Sequence, residues 1–132
     1  MTDVRCLRLD KAINQKMSFK FENLNVWQRS LDLSALVHEV TLKFPKEELY
    51  ILTSQIKRAA DSVALNIAEG STGQTKPEFK RFLSIALRST IEVVSCIHIA
   101  RRRNIISQED FISIYKLCEE ILAKISALRK KL

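Results

Sequence analysis

The side chains with the greatest capacity for metal binding or catalysis in this sequence are two histidines and three cysteines: His38, His98, Cys6, Cys96 and Cys118. Cys96 and His98 have the spacing of a metal-ligand pair, but residues two positions apart on a helix lie about 200° apart around its axis. Di-metal sites in helical bundles instead use a glutamate three residues before a histidine. Neither histidine has a carboxylate at that position. The spacing therefore predicts neither a bound metal nor a cofactor.

Catalysis by a histidine also lacks a recognisable pattern. Some bundle ribonucleases place an arginine roughly four to six residues before a histidine, so that the imidazole takes a proton and the guanidinium stabilises the phosphate. Here eight residues separate Arg29 from His38, and nine separate Arg88 from His98. The phosphate-binding loop, the nucleophile elbow and the HExxH motif do not occur in the sequence. We expect a protein that is not an enzyme; an RNA-processing enzyme with an unrecognised site is the alternative.

Basic residues of the second and third predicted helices form the first of two polar sets that could carry function. They are Lys57, Arg58, Lys76, Lys80, Arg81, Arg88, Arg101, Arg102 and Arg103. Lysine and arginine neutralise phosphates, so this set predicts contacts with nucleic acid. The alternative is a solvated helix surface that is rich in basic residues.

The second set consists of Gln55, Asn66, Glu69, Ser89 and Glu92. Asn66 and Glu69 are three residues apart, as are Ser89 and Glu92, and residues at this spacing share one face of a helix. We favour a hydrogen-bonded polar layer between helices or subunits that sets their register. A surface that faces phosphate is the alternative.

Composition restricts the fold before any element is placed. The chain has 132 residues, with 22 Lys and Arg against 15 Asp and Glu, and it has only two glycines and two prolines. Hairpins, small barrels and nucleotide-binding sheets need glycines at their turns, so this composition favours long helices. The net charge of +7 is unevenly distributed: residues 1–20 contribute +3, 21–52 contribute −2, 53–103 contribute +5 and 104–132 contribute +1.

From Leu24 onwards, apolar residues recur every three or four positions, which predicts four long helices. Pro45 ends the first helix because the residue before a proline avoids the helical conformation. The second helix begins between Lys46 and Thr53, and we expect Gly70 to close it in a left-handed conformation.

The third predicted helix runs from about Lys76 to Arg103, behind a Thr75 cap, and has two apolar stripes. A helix with so much apolar circumference is either the central helix or part of a subunit contact. Ser107 caps the fourth helix. Short connections between long helices predict an all-α, antiparallel up-down four-helix bundle over residues 21–132, after a flexible, poorly ordered basic tail over residues 1–20.

Several motifs between Leu24 and Leu132 resemble a known bacterial family. They are Val26-Trp27-Gln28, Phe44-Pro45-Lys46-Glu47-Glu48, the block from Leu52 to Ala60, Asn66-Ile67-Ala68-Glu69-Gly70, Glu78-Phe79 and Arg81-Phe82-Leu83. The family is that of the four-helix bundle proteins encoded in the intervening sequences of large-subunit (23S) rRNA genes. The chain departs from the family pattern at Thr72-Gly73, where Gly-Arg is frequent, and at Arg88, where a small residue is usual.

The resemblance implies a cytoplasmic bundle that assembles as a ring-shaped homopentamer. It also implies a relationship to the accessory proteins of diversity-generating retroelements, which are basic pentamers that bind nucleic acid and a reverse transcriptase. The family label reflects where the genes lie and does not by itself make the chain a component of the ribosome.

Together, these features predict a non-enzymatic oligomer that binds structured RNA or DNA through basic residues of its second and third helices. The alternative from another class is a scaffold oligomer that contacts only proteins. An odd number of cysteines without a CxxC pair is typical of the reducing cytosol. Charged residues or serines interrupt each apolar run, so we expect no membrane contact.

Overall fold

The computed structural model describes residues 18–73 and 75–132, so most of the predicted tail, residues 1–17, lies outside the described residues. Four α-helices make up most of the described chain: α1 (Asn25–Thr41), α2 (Ser54–Ser71), α3 (Lys76–Arg102) and α4 (Gln108–Lys131). A 3-10 turn at Lys20–Asn23 precedes α1. The predicted all-α class and antiparallel four-helix bundle are confirmed for this part of the chain.

The helices follow one another around the bundle, and α4 closes it by packing against α1. The contact between α2 and α3 is the most extensive. Fully buried aliphatic side chains fill the centre, among them Leu33, Ile56, Leu83 and Ile121, one from each helix. Burial of each such side chain contributes roughly 1.5–3 kcal/mol to stability.

Thr75 and Ser107 cap α3 and α4, as predicted. The Thr75 hydroxyl accepts a hydrogen bond from the backbone N–H of Glu78 at 3.2 Å, and the Ser107 hydroxyl accepts one from that of Asp110 at 3.1 Å. Each cap satisfies a backbone donor that has no partner within its helix. Local sequence therefore determines where the last two helices begin.

The connection between α3 and α4 is a Schellman turn. Asn104 adopts the left-handed conformation, with a φ of 60°, and no other non-glycine residue in the described chain has a positive φ. The N–H of Asn104 donates to the Arg101 carbonyl, and the N–H of Ile105 donates to the Ala100 carbonyl, both at 3.0 Å. This tight reversal brings the last turn of α3 beside the first turn of α4.

Gly70 does not close α2 in a left-handed conformation, so that prediction is wrong. The helix continues to Ser71, and no glycine in the described chain has a positive φ. The physical reason for a glycine here is space. A Cβ atom on residue 70 would lie 2.6 Å from the Cβ of Phe82 and 3.0 Å from the ring of Phe79. Gly70 therefore lets α2 and α3 approach each other closely.

The connection between α1 and α2 contains two irregular helical turns after Pro45. A 3-10 turn at Lys46–Glu48 is followed by a π-helical turn at Leu49–Thr53, and regular α-helix begins at Ser54. Helical conformation thus starts within the predicted interval. The side chain of Tyr50 in this connection is 89% exposed.

The two apolar stripes of α3 have different surroundings. Leu83, Val93 and Ile97 are in the core, whereas Ile91 and Ile99 are 50% and 40% exposed. α3 is also long and apolar enough to cross a membrane, with a mean hydropathy of 1.5 over an 18-residue window. The central helix of a water-soluble bundle meets the same criterion, so length and composition alone are weak support for a membrane span.

Candidate nucleic-acid interface

Polar side chains line the contact between α2 and α3. Gln55 Nε2 donates to Glu92 Oε2 at 2.6 Å. The hydroxyls of Ser62 and Ser89 are 2.9 Å apart, and Asn66 Nδ2 donates to the Ser62 carbonyl and hydroxyl oxygens at 2.8 and 2.9 Å. A shift of either helix by one residue would break the bonds between them, so the layer favours one register.

Glu69, the remaining residue of the predicted polar set, lies outside this layer. Its side chain is exposed and makes no hydrogen bond to a described residue. A cleft of about 330 Å³ opens beside the layer, and Arg58 lines it together with Ser62, Ser89 and Glu92. The layer thus lies beside one of the predicted basic residues.

Arg81, Arg88 and Arg102 form a stripe along the outside of α3. Arg88 follows Arg81 by seven residues, and Arg102 follows Arg88 by fourteen. Because seven residues are nearly two helical turns, the three side chains lie on one face. All three are exposed, and none makes an ion pair with a described residue. At 1.5 Å per residue, the stripe is about 31 Å long.

The two basic residues of α2 face different neighbours. Arg58 lines the cleft between α2 and α3. Lys57 lines a groove between α1 and α2, together with His38 and Asp61. Lys57 therefore lies on the opposite side of α2 from the arginine stripe, although it is adjacent to Arg58 in the sequence.

Lys80 faces α4 and lines a groove with Ser126, Arg129 and Lys130. Arg129 and Lys130 were not among the basic residues predicted from sequence, because their position opposite Lys80 follows from the antiparallel packing of α3 and α4. The run of three basic residues that ends α4 was the available signal. Lys76 is exposed in the first turn of α3.

Ion pairs within the described chain concentrate where α4 meets α1. Arg29 Nε lies 2.7 Å from Glu120 Oε2, and Lys124 Nζ lies 3.2 Å from the same oxygen. Lys43 Nζ and Asp110 Oδ2 are 3.0 Å apart. Hydrogen bonds from Arg29 and then from Lys124 lower the pKa of Glu120 from 4.5 to about 2. Acidic and basic side chains thus offset one another on this side of the bundle.

The three consecutive arginines at the end of α3 have different environments. Arg103 Nη1 donates to both carboxylate oxygens of Glu48, at 2.9 and 3.0 Å, so its charge is offset. Arg101 lies over the ring of Phe111, with its Cζ 4.8 Å from the ring centroid. Neither Arg101 nor Arg102 makes an ion pair with a described residue. They therefore retain charge for an external anion, whereas Arg103 stabilises the fold.

The described residues offer little for nucleophilic or metal chemistry. No group of three or more His, Cys, Asp or Glu side chains within 18–73 and 75–132 could hold a metal ion. Burial raises the pKa of Cys96 to about 11 and that of Cys118 to about 12. Both thiols are therefore protonated at neutral pH and are weak nucleophiles. The chemistry that these residues support best is charge neutralisation by guanidinium and ammonium groups.

Two comparisons with known proteins bear on the fold and the family of this chain. A crystal structure of a protein of unknown function from the S23 ribosomal protein family of Bacteroides thetaiotaomicron VPI-5482 has a similar fold, with a TM-score of 0.73 and 24% sequence identity. The match covers 80% of this chain and 98% of that chain. No curated protein matches. The model of the 23S rRNA-intervening sequence protein family matches residues 22–127, and the chain therefore belongs to that family.

Proposed function

We propose that this protein is a non-enzymatic, cytoplasmic oligomer that binds structured RNA or DNA through the outer surface of α3. Arg81, Arg88 and Arg102 form the centre of that surface, with Arg58 on its α2 side and Lys80 on its α4 side. We call these five residues the basic face. Phosphate groups are the ligand, and the five side chains supply cationic hydrogen-bond donors.

The observation that carries this proposal is the alignment of unpaired cations along one face of α3. The ion pairs of the described chain engage cations at Arg29, Lys43, Arg103 and Lys124. No residue of the basic face makes an ion pair with a described residue. Unpaired cations that extend about 31 Å along one helix attract a polyanion without the cost of breaking an internal salt bridge.

The basic face predicts a particular mode of binding. Contacts with phosphate release condensed counterions, so affinity falls steeply as salt concentration rises. Such contacts position the partner but do not distinguish one base sequence from another. We therefore expect binding that depends strongly on salt and weakly on sequence.

Charge reversal tests the proposal. The double variant Arg81→Glu/Arg88→Glu is compared with Lys46→Glu/Lys116→Glu, which changes the net charge equally but uses exposed lysines outside the basic face. Fluorescence anisotropy with a labelled RNA hairpin and a labelled DNA duplex gives affinities at two salt concentrations. The arginine variant should lose at least tenfold in affinity, and the lysine variant should lose much less. Equal losses, or no binding by the unaltered protein at low salt, would contradict the proposal.

A scaffold oligomer that contacts only proteins is the alternative function. It is favoured by apolar side chains at the α1–α2 connection: Leu42 is 75% exposed and Ile51 is 61% exposed. Large apolar side chains left exposed in one segment are a feature of protein contact surfaces. The family resemblance favours a homopentamer for either function. Failure to bind nucleic acid, combined with a stable oligomer, would support the scaffold.

A further inference from the structure

An aromatic cluster lies where the end of α3 meets the start of α4. The rings of Phe111 and Tyr115 stack with centroids 5.8 Å apart and an interplanar angle of 23°. His98 approaches both rings edge-on, at 5.1 Å from Phe111 and 6.3 Å from Tyr115. The guanidinium of Arg101 lies 4.8 Å from the Phe111 centroid. We call these four residues the aromatic corner.

The fold holds the aromatic corner rigidly but leaves part of it open. Phe111 is only 6% exposed and packs in the core, which anchors the cluster. Tyr115 is 37% exposed, and His98 is also exposed. The Schellman turn at Asn104 and the Ser107 cap fix the angle between the two helices that carry the rings. The partly exposed ring of Tyr115 is therefore held in place by its stacking on the buried Phe111.

An open cleft of about 790 Å³ adjoins the aromatic corner and shares His98 and Arg101 with it. It is lined by Ser95, His98, Ile99, Arg101, Arg102 and Asn104. These side chains include two guanidinium groups and no carboxylate, so the cleft is electropositive. Aromatic surface, positive charge and a carboxamide thus occur together at one end of the bundle.

We propose that the aromatic corner binds an unpaired nucleotide of a single-stranded RNA or DNA segment. The base stacks on the exposed ring of Tyr115, beside His98, and Arg101 and Arg102 neutralise the adjacent phosphates. The carboxamide of Asn104 can donate to or accept from the edge of the base. This inference rests on the proposed function for its phosphate contacts, but it adds a preference that the basic face does not provide.

Access to the face of a base distinguishes an unpaired nucleotide from a duplex as a ligand. In a duplex, both faces of each internal base are covered by its neighbours, so an aromatic side chain cannot stack on them. An unpaired base offers an open face, and every base has one, so the preference is for single strands and not for a sequence. Loops, bulges and ends of structured RNA present such bases.

The wild-type protein gives the first test, by anisotropy at one salt concentration. The probes are a labelled 12-nucleotide uridine oligomer, its thymidine counterpart, an abasic oligomer of the same length and a blunt 12-base-pair duplex. We expect the uridine and thymidine oligomers to bind on the order of tenfold more tightly than the abasic oligomer, because an oligomer without bases cannot stack on the ring. Equal affinity for the abasic and the normal strands would overturn the inference and leave phosphate binding by the basic face intact.

Variants give the second test. Tyr115→Ala should weaken binding to the single strands on the order of tenfold and leave duplex binding unchanged, whereas Tyr115→Phe should retain the affinity because it keeps the ring. Tyr50→Ala is the matched control, since Tyr50 is an exposed tyrosine outside the aromatic corner. A loss with Tyr50→Ala equal to that with Tyr115→Ala would overturn the assignment. Absence of binding to all four probes would overturn the proposed function as well.

Discussion

Gly70 of α2 faces Phe82 of α3 so closely that a Cβ atom on residue 70 would lie 2.6 Å from the Phe82 Cβ. Each of the two helices packs against a neighbour on either side in the bundle. Neither helix can therefore move away from the other without disturbing its neighbours. This contact joins the two helices that also share the polar layer. The spacing between α2 and α3 is therefore set by the absence of a side chain at residue 70.

Gly70→Ala should destabilise the protein by about 1–3 kcal/mol, because the added methyl group forces the two helices apart. The higher helix propensity of alanine opposes this loss by up to about 1 kcal/mol. Urea unfolding followed by circular dichroism measures the difference. Leu65→Ala, at an exposed position on the same helix, is the control and should change stability by less than about 0.5 kcal/mol. Stability equal to that of the unaltered protein would contradict the prediction, because separating α2 and α3 would then cost no more than the roughly 1 kcal/mol that alanine gains in helix propensity.

Ser62 and Ser89 should be energetically coupled, because their hydroxyls are 2.9 Å apart across the α2–α3 contact. We expect a coupling free energy of about 0.5–1.5 kcal/mol from a double-mutant cycle with Ser62→Ala and Ser89→Ala. Chemical unfolding of the four proteins in the cycle gives this value. Strictly additive effects would mean that the hydroxyls do not stabilise each other.

Glu120 should make stability depend on acid pH. Its pKa is lowered from 4.5 to about 2 by Arg29 and then Lys124, so the folded protein binds this proton less readily than the unfolded chain. The stabilisation is fully present above pH 4.5 and is lost as the pH falls towards 2. Because the side chain is partly solvated, the contribution of Glu120 to the free energy of unfolding at neutral pH should not exceed about 1 kcal/mol.

Melting temperatures of the unaltered protein and of Glu120→Gln, measured from pH 7 to pH 2.5, test this dependence. The difference between the two proteins should shrink as the pH falls. Glu119→Gln is the control, because Glu119 makes no ion pair with a described residue. A difference that stays constant over the whole range would exclude a contribution from the Glu120 charge.

Leu42→Ser should weaken self-association. Leu42 is 75% exposed where α1 ends, outside the basic face, so a subunit contact there leaves the arginines of α3 free for phosphate. Light scattering at tens of micromolar measures the molar mass of each protein. Leu65→Ser, on α2 and 67% exposed, is the control and should leave the mass unchanged. If the Leu65 variant dissociates instead, the subunit contact involves α2. If the unaltered protein is a monomer, the prediction of an oligomer is wrong.

Local features of the sequence predicted most of the fold. Thr75 and Ser107 are recognisable as caps because a cap bonds to a backbone group only three residues away. Gly70 was misread because glycine serves two purposes, a left-handed backbone or a close approach, and the second depends on a helix that follows in the chain. The absence of a positive φ at Gly70 and its short distance to Phe82 distinguish them.

The candidate site was harder to predict because it depends on which helices are neighbours. Lys57 and Arg58 are adjacent in the sequence, yet they line grooves on opposite sides of α2. Arg129 and Lys130 lie some fifty residues after Lys80 and share a groove with it. Helical periodicity assigns a residue to a face, but tertiary packing determines what lies across from that face.

The closure of the bundle between its first and last helices has a consequence for synthesis on the ribosome. Arg29 of α1 pairs with Glu120, 91 residues later. During translation α1 has no partner on that side until α4 has left the exit tunnel, so its apolar face stays exposed while α2 and α3 are made. We expect the nascent chain to reach its native packing only when nearly all of it has emerged, and to be a client of ribosome-associated chaperones until then.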